Sequence, residues 1–406
     1  MERVLEGIKV IEFASYAAGP WCGRMLAEMG ADVIKIEPVQ GEPFRYFGDT
    51  INVPILPGEN AVFQNENAGK KGICLDLRVP EGKQVLFGLL KDAHIFFTNT
   101  RMDALAKMGL TYEDLKEQFP KLIYGHISGY GLKGEDANAP GFDATAFWAR
   151  SGNLLDMAFE GFGPCSLTYA VGDHITGGTM ATGLLAALNK QTRTGEGEFV
   201  LVSLFGTAIG VSSLCIVPTQ PAYGDHFPKS RYSPVTPICT TYICKDNSGG
   251  ITLTLLDWVR YWPVFCKNVI FREDLIEDEH CTSEAVVRQP ANSEFLVKLL
   301  TEIFLEHDRE HWVALLKAND LPYSIAQHYA DISNDAQAWD NGFISNVTFA
   351  NGATRIIPST PVQFKENKAV PCLPAPELGE HTDEVLVSLG YSATEISTLR
   401  EKKIIN

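Results

Sequence analysis

The chain has 406 residues, of which 45 % are hydrophobic and 21 % charged, and its formal net charge is -16. That balance supplies a sizeable buried core and suits two domains better than one. So acidic a chain is a poor general binder of nucleic acid or of anionic membranes, and any anionic ligand has to be held by a local basic cluster that opposes the global field.

The N-terminus MERVLEGIKV has no signal-peptide pattern, and no run reaches the roughly 18 apolar residues of a membrane span. A cytoplasmic protein is expected. In chain order, IKVIEF (8–13) reads as a buried strand, WCGRMLAEMG (21–30) as a helix ending in glycine, and DVIKIE (32–37) as a strand. KQVLFGLLKDA then reads as helix, HIFFTN as strand, YEDLKEQFP as helix and LIYGHISGYG as strand. Strands separated by helices of this length imply right-handed crossovers, so residues 1–215 are expected to form an α/β domain with a doubly wound, mostly parallel, Rossmann-like sheet. Beyond 215 the texture changes. Prolines cluster at 218, 221, 228, 234 and 237, and ICTTYICKDNSGGITLTLL reads as a β-hairpin turning at Asn247-Ser248-Gly249-Gly250. NSEFLVKLLTEIFLEH and REHWVALLKAND read as helices. Residues 216–335 are therefore read as a linker and a smaller α/β domain. Residues 336–406, with two amphipathic helix patterns, are read as a segment returning to the first domain.

Motifs for the common cofactors are missing. The first strand-to-helix turn, YAAGPWCGR, is not G-x-G-x-x-G, so neither a nicotinamide nor a flavin is expected, and no Walker motif occurs. Nine scattered cysteines without a C-x-x-C pair read as reduced thiols, with neither a disulfide framework nor a metal site. No permanently bound cofactor is expected. GHISGYG (125–131) has its glycines in the wrong register around Ser128 for a serine nucleophile. Tyr130 beside it either stacks on a ligand or covers the sheet end. Basic residues are read as falling at successive strand-to-helix loops: Arg45 after the second strand, Lys70 and Lys71 in NENAGKKG, and Arg101 and Lys107 after HIFFTN. Each alone reads as a solvated charge; together they suggest an edge for a phosphate-bearing ligand.

The stretch YAVGDHITGGTMATGLLAALNK (169–190) places Asp173 at the start of a helix. Asp173 is either the N-cap of a helix running from Thr176 or a nucleophile kept ionised by helix-end amides, with Gly172, Gly177 and Gly178 leaving room for an activated carbonyl. His174 beside it is either a base or a packed or solvated residue.

The blocks LEGIKVIEFASYAAGPWCGRMLAEMGADVIKIEPVQGEPFR, NAGKKGICLDLRVPEGK, LAKMGLTYEDLKEQFPKLIYGHISGYG, GFDATAFWARSG and TRTGEGEFVLVSLF occur in one order along the chain. Together with the tail LGEHTDEVLVSLGYSATEI they resemble the class III (family III) CoA-transferases, closest to those acting on (R)-2-hydroxyacids of the 2-hydroxyisocaproate and phenyllactate type. The resemblance implies that Asp173 attacks an acyl-CoA thioester to give a mixed anhydride. Coenzyme A or acyl-CoA is then a substrate, contacted by Arg45, Lys71, Asn99, Lys107, Met108 and Tyr130. It further implies a free carboxylic acid as second substrate, an interlinked homodimer as the assembly, and a place in amino-acid fermentation. The formyl- and oxalate-acting branch carries a His where Ser15 stands, a basic residue where Pro38 stands, and a glycine-run lid where this chain has ITLTLLDWVRYW, which disfavours those substrates. Phe147 and Trp148 either shape an apolar acyl pocket or pack in the core. Two rivals share the fold. An α-methylacyl-CoA racemase needs a base where GFD places Phe142, and a non-catalytic acyl-CoA-binding protein could dispense with Asp173.

Overall fold

The computed structural model describes residues 3–167, 169–247, 249–366 and 373–406. Six strands form the central sheet: β1 (Lys9–Phe13), β2 (Asp32–Glu37), β3 (Lys71–Cys74), β4 (Ile95–Thr98), β5 (Ile123–Ser128) and β6 (Phe199–Ser203). Their order is β3-β2-β1-β4-β5-β6, with every neighbouring pair parallel. This is the doubly wound arrangement expected from the alternation of strand and helix. Helices cover both faces, so the inner strands lose the alternation of a half-exposed sheet, and all four residues of β4 are buried. The chain reverses its winding between β1 and β4, and the crevice at the carboxyl ends of those strands is where a ligand is expected to bind.

The helix Ala18–Glu28, buried along its whole length, follows β1. It begins three residues before the expected start, because Pro20 falls in the first turn, where its missing N–H has no intrahelical partner to lose. The long helix Val171–Thr194 lies against it backbone to backbone: a Cβ on Gly177 would stand 2.4 Å from the Ala18 carbonyl oxygen. YEDLKEQFP makes only one helical turn, Tyr112–Leu115, closed by a capping box between Thr111 and Asp114. The terminal helices Thr382–Ser388 and Ala393–Glu401 bring Val385, Leu386, Ile396 and Leu399 into the core formed by Ile34, Ile36, Ile73 and Leu86.

The described chain divides into two compact units. The first comprises residues 1–153, 166–217 and 337–406, and the second residues 154–165 and 218–336. Residues 154–165 thus belong to the second unit although they lie within the stretch read as the first domain. The second unit has its own core, in which Trp258 and Trp262 stack at 4.6 Å, and a three-stranded antiparallel sheet. Thr241–Ile243 and Gly250–Leu253 form the expected hairpin, and Tyr323–Ala326 adds the third strand. Ser248 of the expected turn lies outside the described residues. ITLTLLDWVRYW becomes the end of that hairpin and the start of the helix Trp258–Asn268, which Asp257 caps. Among the described residues no helix is long and apolar enough to cross a membrane, and no cluster of three His, Cys, Asp or Glu side chains could hold a metal ion.

Candidate active site

Asp173 does not cap the helix it opens. Ala170, in the left-handed conformation at φ 58°, precedes the first helical residue Val171, which puts Asp173 at the third position. The cap arrives from elsewhere in the chain. Asp143 Oδ1 accepts the backbone N–H of Asp173 at 3.0 Å, and the Gly172 N–H is directed to the same carboxylate. Asp143 Oδ2 accepts the indole N–H of Trp148 at 3.1 Å. Asp143 begins a π-helical turn, Asp143–Ala149, a rare form often found at functional sites. Close approach explains Gly172: a Cβ there would stand 2.2 Å from Asp143 Oδ1 and 2.3 Å from Phe147 Cγ. With its helix capped from outside, the Asp173 carboxylate accepts no hydrogen bond from any described residue.

That carboxylate lines a cavity of about 300 Å³ at the carboxyl ends of β1, β4 and β5. Ser15, Tyr16, Asn99, Arg101 and Phe142 line it too. Asn99 staples two of its loops, accepting the Ser15 N–H at 3.0 Å and donating to the Ser15 carbonyl at 2.8 Å. Burial raises the pKa of Asp173 to about 7, the negative charges of Asp143 and Glu66 add to that rise, and His174 opposes it. Asp143 is also held above the ordinary carboxylate range by burial, against its Trp148 and backbone hydrogen bonds. Burial alone would lower the pKa of His174. The Glu66 hydrogen bond and charge, with the charge of Asp173, outweigh burial and carry it upward. His174 Nε2 meets Glu66 Oε1 at 2.8 Å, and its ring stacks on Trp21 at 4.2 Å. His174 is therefore packed and paired, and the second oxygen of Glu66 is buried without a partner.

The structure places the other candidate residues unevenly. Asn99 and Asp173 share the cavity, with Arg101 at its lining. Arg45 is bound to Glu37 through two hydrogen bonds of 2.7 and 2.8 Å and lies over Phe63. Lys70 is buried, 2.8 Å from Glu12 and 2.7 Å from the Pro20 carbonyl, and burial lowers its pKa to about 8. Lys71 starts β3 and so stands at the amino-terminal edge of the sheet, 3.4 Å from both Asp32 and Glu384. Of the five basic residues read as one edge, only Arg101 and Lys107 remain available there. Lys107 is exposed in the last turn of the helix Met102–Met108. Met108 faces a separate cavity of about 420 Å³ with Pro38, Leu75, Arg78 and Lys403. Tyr130 packs near Phe205 at 6.3 Å with the Arg150 guanidinium above it, and does not line the cavity of Asp173. Phe147 and Trp148 are core residues. Asp143 and Glu66 were not legible as partners of Asp173, since a carboxylate 30 residues away leaves no local capping signature.

An α/β crevice with an unbonded carboxylate of raised pKa near a helix start is an arrangement compatible with acyl or group transfer. The model of CoA-transferase family III matches residues 5–382. The chain is 41 % identical over 403 residues to the (R)-2-hydroxy-4-methylpentanoate CoA-transferase of Clostridioides difficile, covering 99 % of each chain. It is 35 % identical over 406 residues to the cinnamoyl-CoA:phenyllactate CoA-transferase of Clostridium sporogenes, covering 99 % of this chain and 97 % of that one. Among solved structures, a CAIB/BAIF family protein from Brucella suis superposes with a TM-score of 0.84 at 26 % identity, over 96 % of this chain and 100 % of that one. The chain belongs to CoA-transferase family III and is a CoA-transferase.

Proposed function

We propose that the enzyme moves CoA from an acyl-CoA to a free (R)-2-hydroxyacid through covalent acylation of Asp173. The observation that carries this is the Asp173 carboxylate, open to the cavity and free of hydrogen bonds because Asp143 caps its helix. An Asp173 oxygen attacks the thioester carbonyl, the C–S bond breaks, and CoA leaves as a thiolate, giving a mixed anhydride. The thiolate then attacks the aspartyl carbonyl of the anhydride, expelling the donor as a free carboxylate and leaving an aspartyl-CoA thioester, which the acceptor carboxylate attacks with release of the thiolate. Alternatively, the acceptor carboxylate displaces the donor carboxylate from the aspartyl carbonyl directly. Both routes leave the acceptor joined to Asp173 as an anhydride, and the thiolate attacks the acceptor's carbonyl, giving the new acyl-CoA and freeing Asp173. No proton, metal or electron is consumed in the balance. The amides of Gly172 and Asp173 serve Asp143, so they are not oxyanion donors. Ala17 and Ala18, at the start of the first helix and lining the cavity, supply the backbone N–H groups suited to that task.

CoA binding falls to the first unit in this reading, with Asn99 at the reacting end, Arg101 and Lys107 facing phosphates, and Met108 in the neighbouring cavity. The names of the two relatives support a branched or aryl-bearing hydroxyacid. The working unit is a homodimer. β6 is an edge strand with Leu201 exposed, and Ile209, Val211 and Leu214 just beyond it are exposed as well, an apolar surface suited to a second copy. Light scattering that finds only monomers at micromolar concentration would overturn that assignment.

The mechanism is tested by incubating the enzyme with an acyl-CoA and a panel of 2-hydroxyacids, adding hydroxylamine or borohydride, and taking the intact mass. New acyl-CoA together with a modification localised to Asp173 is expected. CoA binding without transfer, and Asp173 unmodified across the panel, would favour a binding protein.

A further inference from the structure

We infer that Tyr16 and Phe142 form the wall against which the side chain of the acid substrate packs, and so set which acids the enzyme accepts. The inference rests on the reading of Asp173 as the acylated residue. Both aromatic rings line the cavity that holds Asp173, and both are open to it, Phe142 at 54 % and Tyr16 at 36 % exposure. Large apolar groups left open inside a concave site, rather than on a convex surface, mark the place where a ligand's apolar part is buried.

The two rings meet edge to face at 6.2 Å. Behind Tyr16 stand Phe44 at 6.0 Å and Phe47 at 6.1 Å, themselves stacked at 5.4 Å, so the wall is braced by two further rings. The rest of the lining mixes small residues such as Ala17, Ala18 and Gly129 with the apolar Met102, Ile127 and Leu132. An apolar side chain entering the cavity meets these two rings within a lining that is otherwise small or aliphatic at several positions.

The backbone supports the same conclusion. Tyr16 has φ 64°, a conformation that residues with a Cβ rarely adopt, and such strain persists only where the surroundings impose it. Here the imposing group is Glu42, whose fully buried carboxylate accepts the Tyr16 N–H at 2.7 Å. Lys35 holds Glu42 at 2.8 Å, and Glu12 holds Lys35 at 3.0 Å. A buried chain of three charges thus ends on one backbone amide whose side chain faces the cavity. Phe142 is fixed by a second device: its N–H donates to Thr145 Oγ1 at 3.0 Å, and the next residue is Asp143, the cap of the Asp173 helix. Its backbone is therefore anchored one residue from the group that caps the Asp173 helix. Phe147 and Trp148, the bulky pair in the same segment, point into the core and take no part.

The test uses Phe142→Ala and Tyr16→Ala in the full-length enzyme, with kcat/KM measured for a short 2-hydroxyacid of two or three carbons, a branched aliphatic one and an aryl one. The ratio of bulky to short acid is expected to fall about tenfold or more in each variant, as for loss of a few apolar contacts in a specificity pocket, with the change in KM rather than kcat. CoA affinity by calorimetry reports whether each variant is folded. An equal loss on all three acids, or an unchanged ratio in a variant that still binds CoA, overturns the inference and leaves the rings a structural role. A wild-type enzyme that transfers CoA to none of the acids overturns the underlying reading instead.

Discussion

Replacing Asp173 with Asn is predicted to abolish transfer and yet stabilise the protein at alkaline pH. Were Asp173 the helix cap, Asn would keep that role, because the two residues cap about equally well, and stability would change little at any pH. Asp143 holds that role instead, and the Asp173 carboxylate sits half-buried beside two other carboxylates. Its pKa of about 7 compares with 3.8 for an ordinary aspartate. Between those values the folded chain binds a proton that the unfolded chain has released. Stability therefore declines as pH rises through the window; the cost is absent below 3.8 and complete above 7. At 1.36 kcal/mol per unit the whole shift corresponds to about 4 kcal/mol. Solvent screening in the open cavity reduces this to roughly 2. Loss of a negative charge from the first helical turn takes back about 0.5. A net gain of about 1.5 kcal/mol at pH 8.5 remains, which raises the melting temperature by roughly 2 °C in a protein of this size. At pH 4.5 the gain shrinks to about a quarter. Thermal unfolding of wild type and Asp173→Asn side by side at the two pH values, with transfer assayed on the same samples, checks this. A variant less stable than wild type at pH 8.5, or a difference that does not change with pH, would refute the reasoning.

With Asp173 as the proposed nucleophile, kcat/KM should climb with pH to a plateau with its midpoint near the pKa of Asp173, about 7, because the ionised carboxylate is the attacking form in that proposal. His174→Gln removes the neighbouring imidazolium that favours ionisation, so that midpoint should move to higher pH; a profile superposable on wild type would remove His174 from the electrostatics of the site. Gly172→Ala drives a Cβ to 2.2 Å from Asp143 Oδ1 and 2.3 Å from Phe147 Cγ. It should cost about 2 kcal/mol in urea unfolding, with most transfer activity lost, and near-normal stability would show that the π-helical turn yields easily. Lys107→Ala should weaken CoA binding, more at low salt than at high, whereas Lys71→Ala, at the far edge of the sheet and paired with Asp32 and Glu384, should leave calorimetric affinity unchanged.

Periodicity carried the architecture. Runs such as IKVIEF, DVIKIE and HIFFTN are short, apolar and separated by amphipathic helices, and such runs have few folded outcomes besides strands of a covered parallel sheet. Asp173 was legible too, since a carboxylate among glycines at a helix start is local information. What it does there was not. Whether Asp173 or another group caps the helix depends on Asp143, 30 residues away, and on the close approach that Gly172 permits. The basic edge failed for a related reason. A strand pattern locates a loop but not the end of the sheet at which its side chains stand, nor the buried carboxylates that engage them. Lys70 and Arg45 serve Glu12 and Glu37, and Lys71 opens β3, whereas Arg45, Arg101 and Lys107 follow their strands. Local pattern in the sequence determined the elements and their alternation. Only the tertiary structure decided which charges are free, because a charge is neutralised by neighbours in space, and those neighbours are brought by the fold from anywhere in the chain.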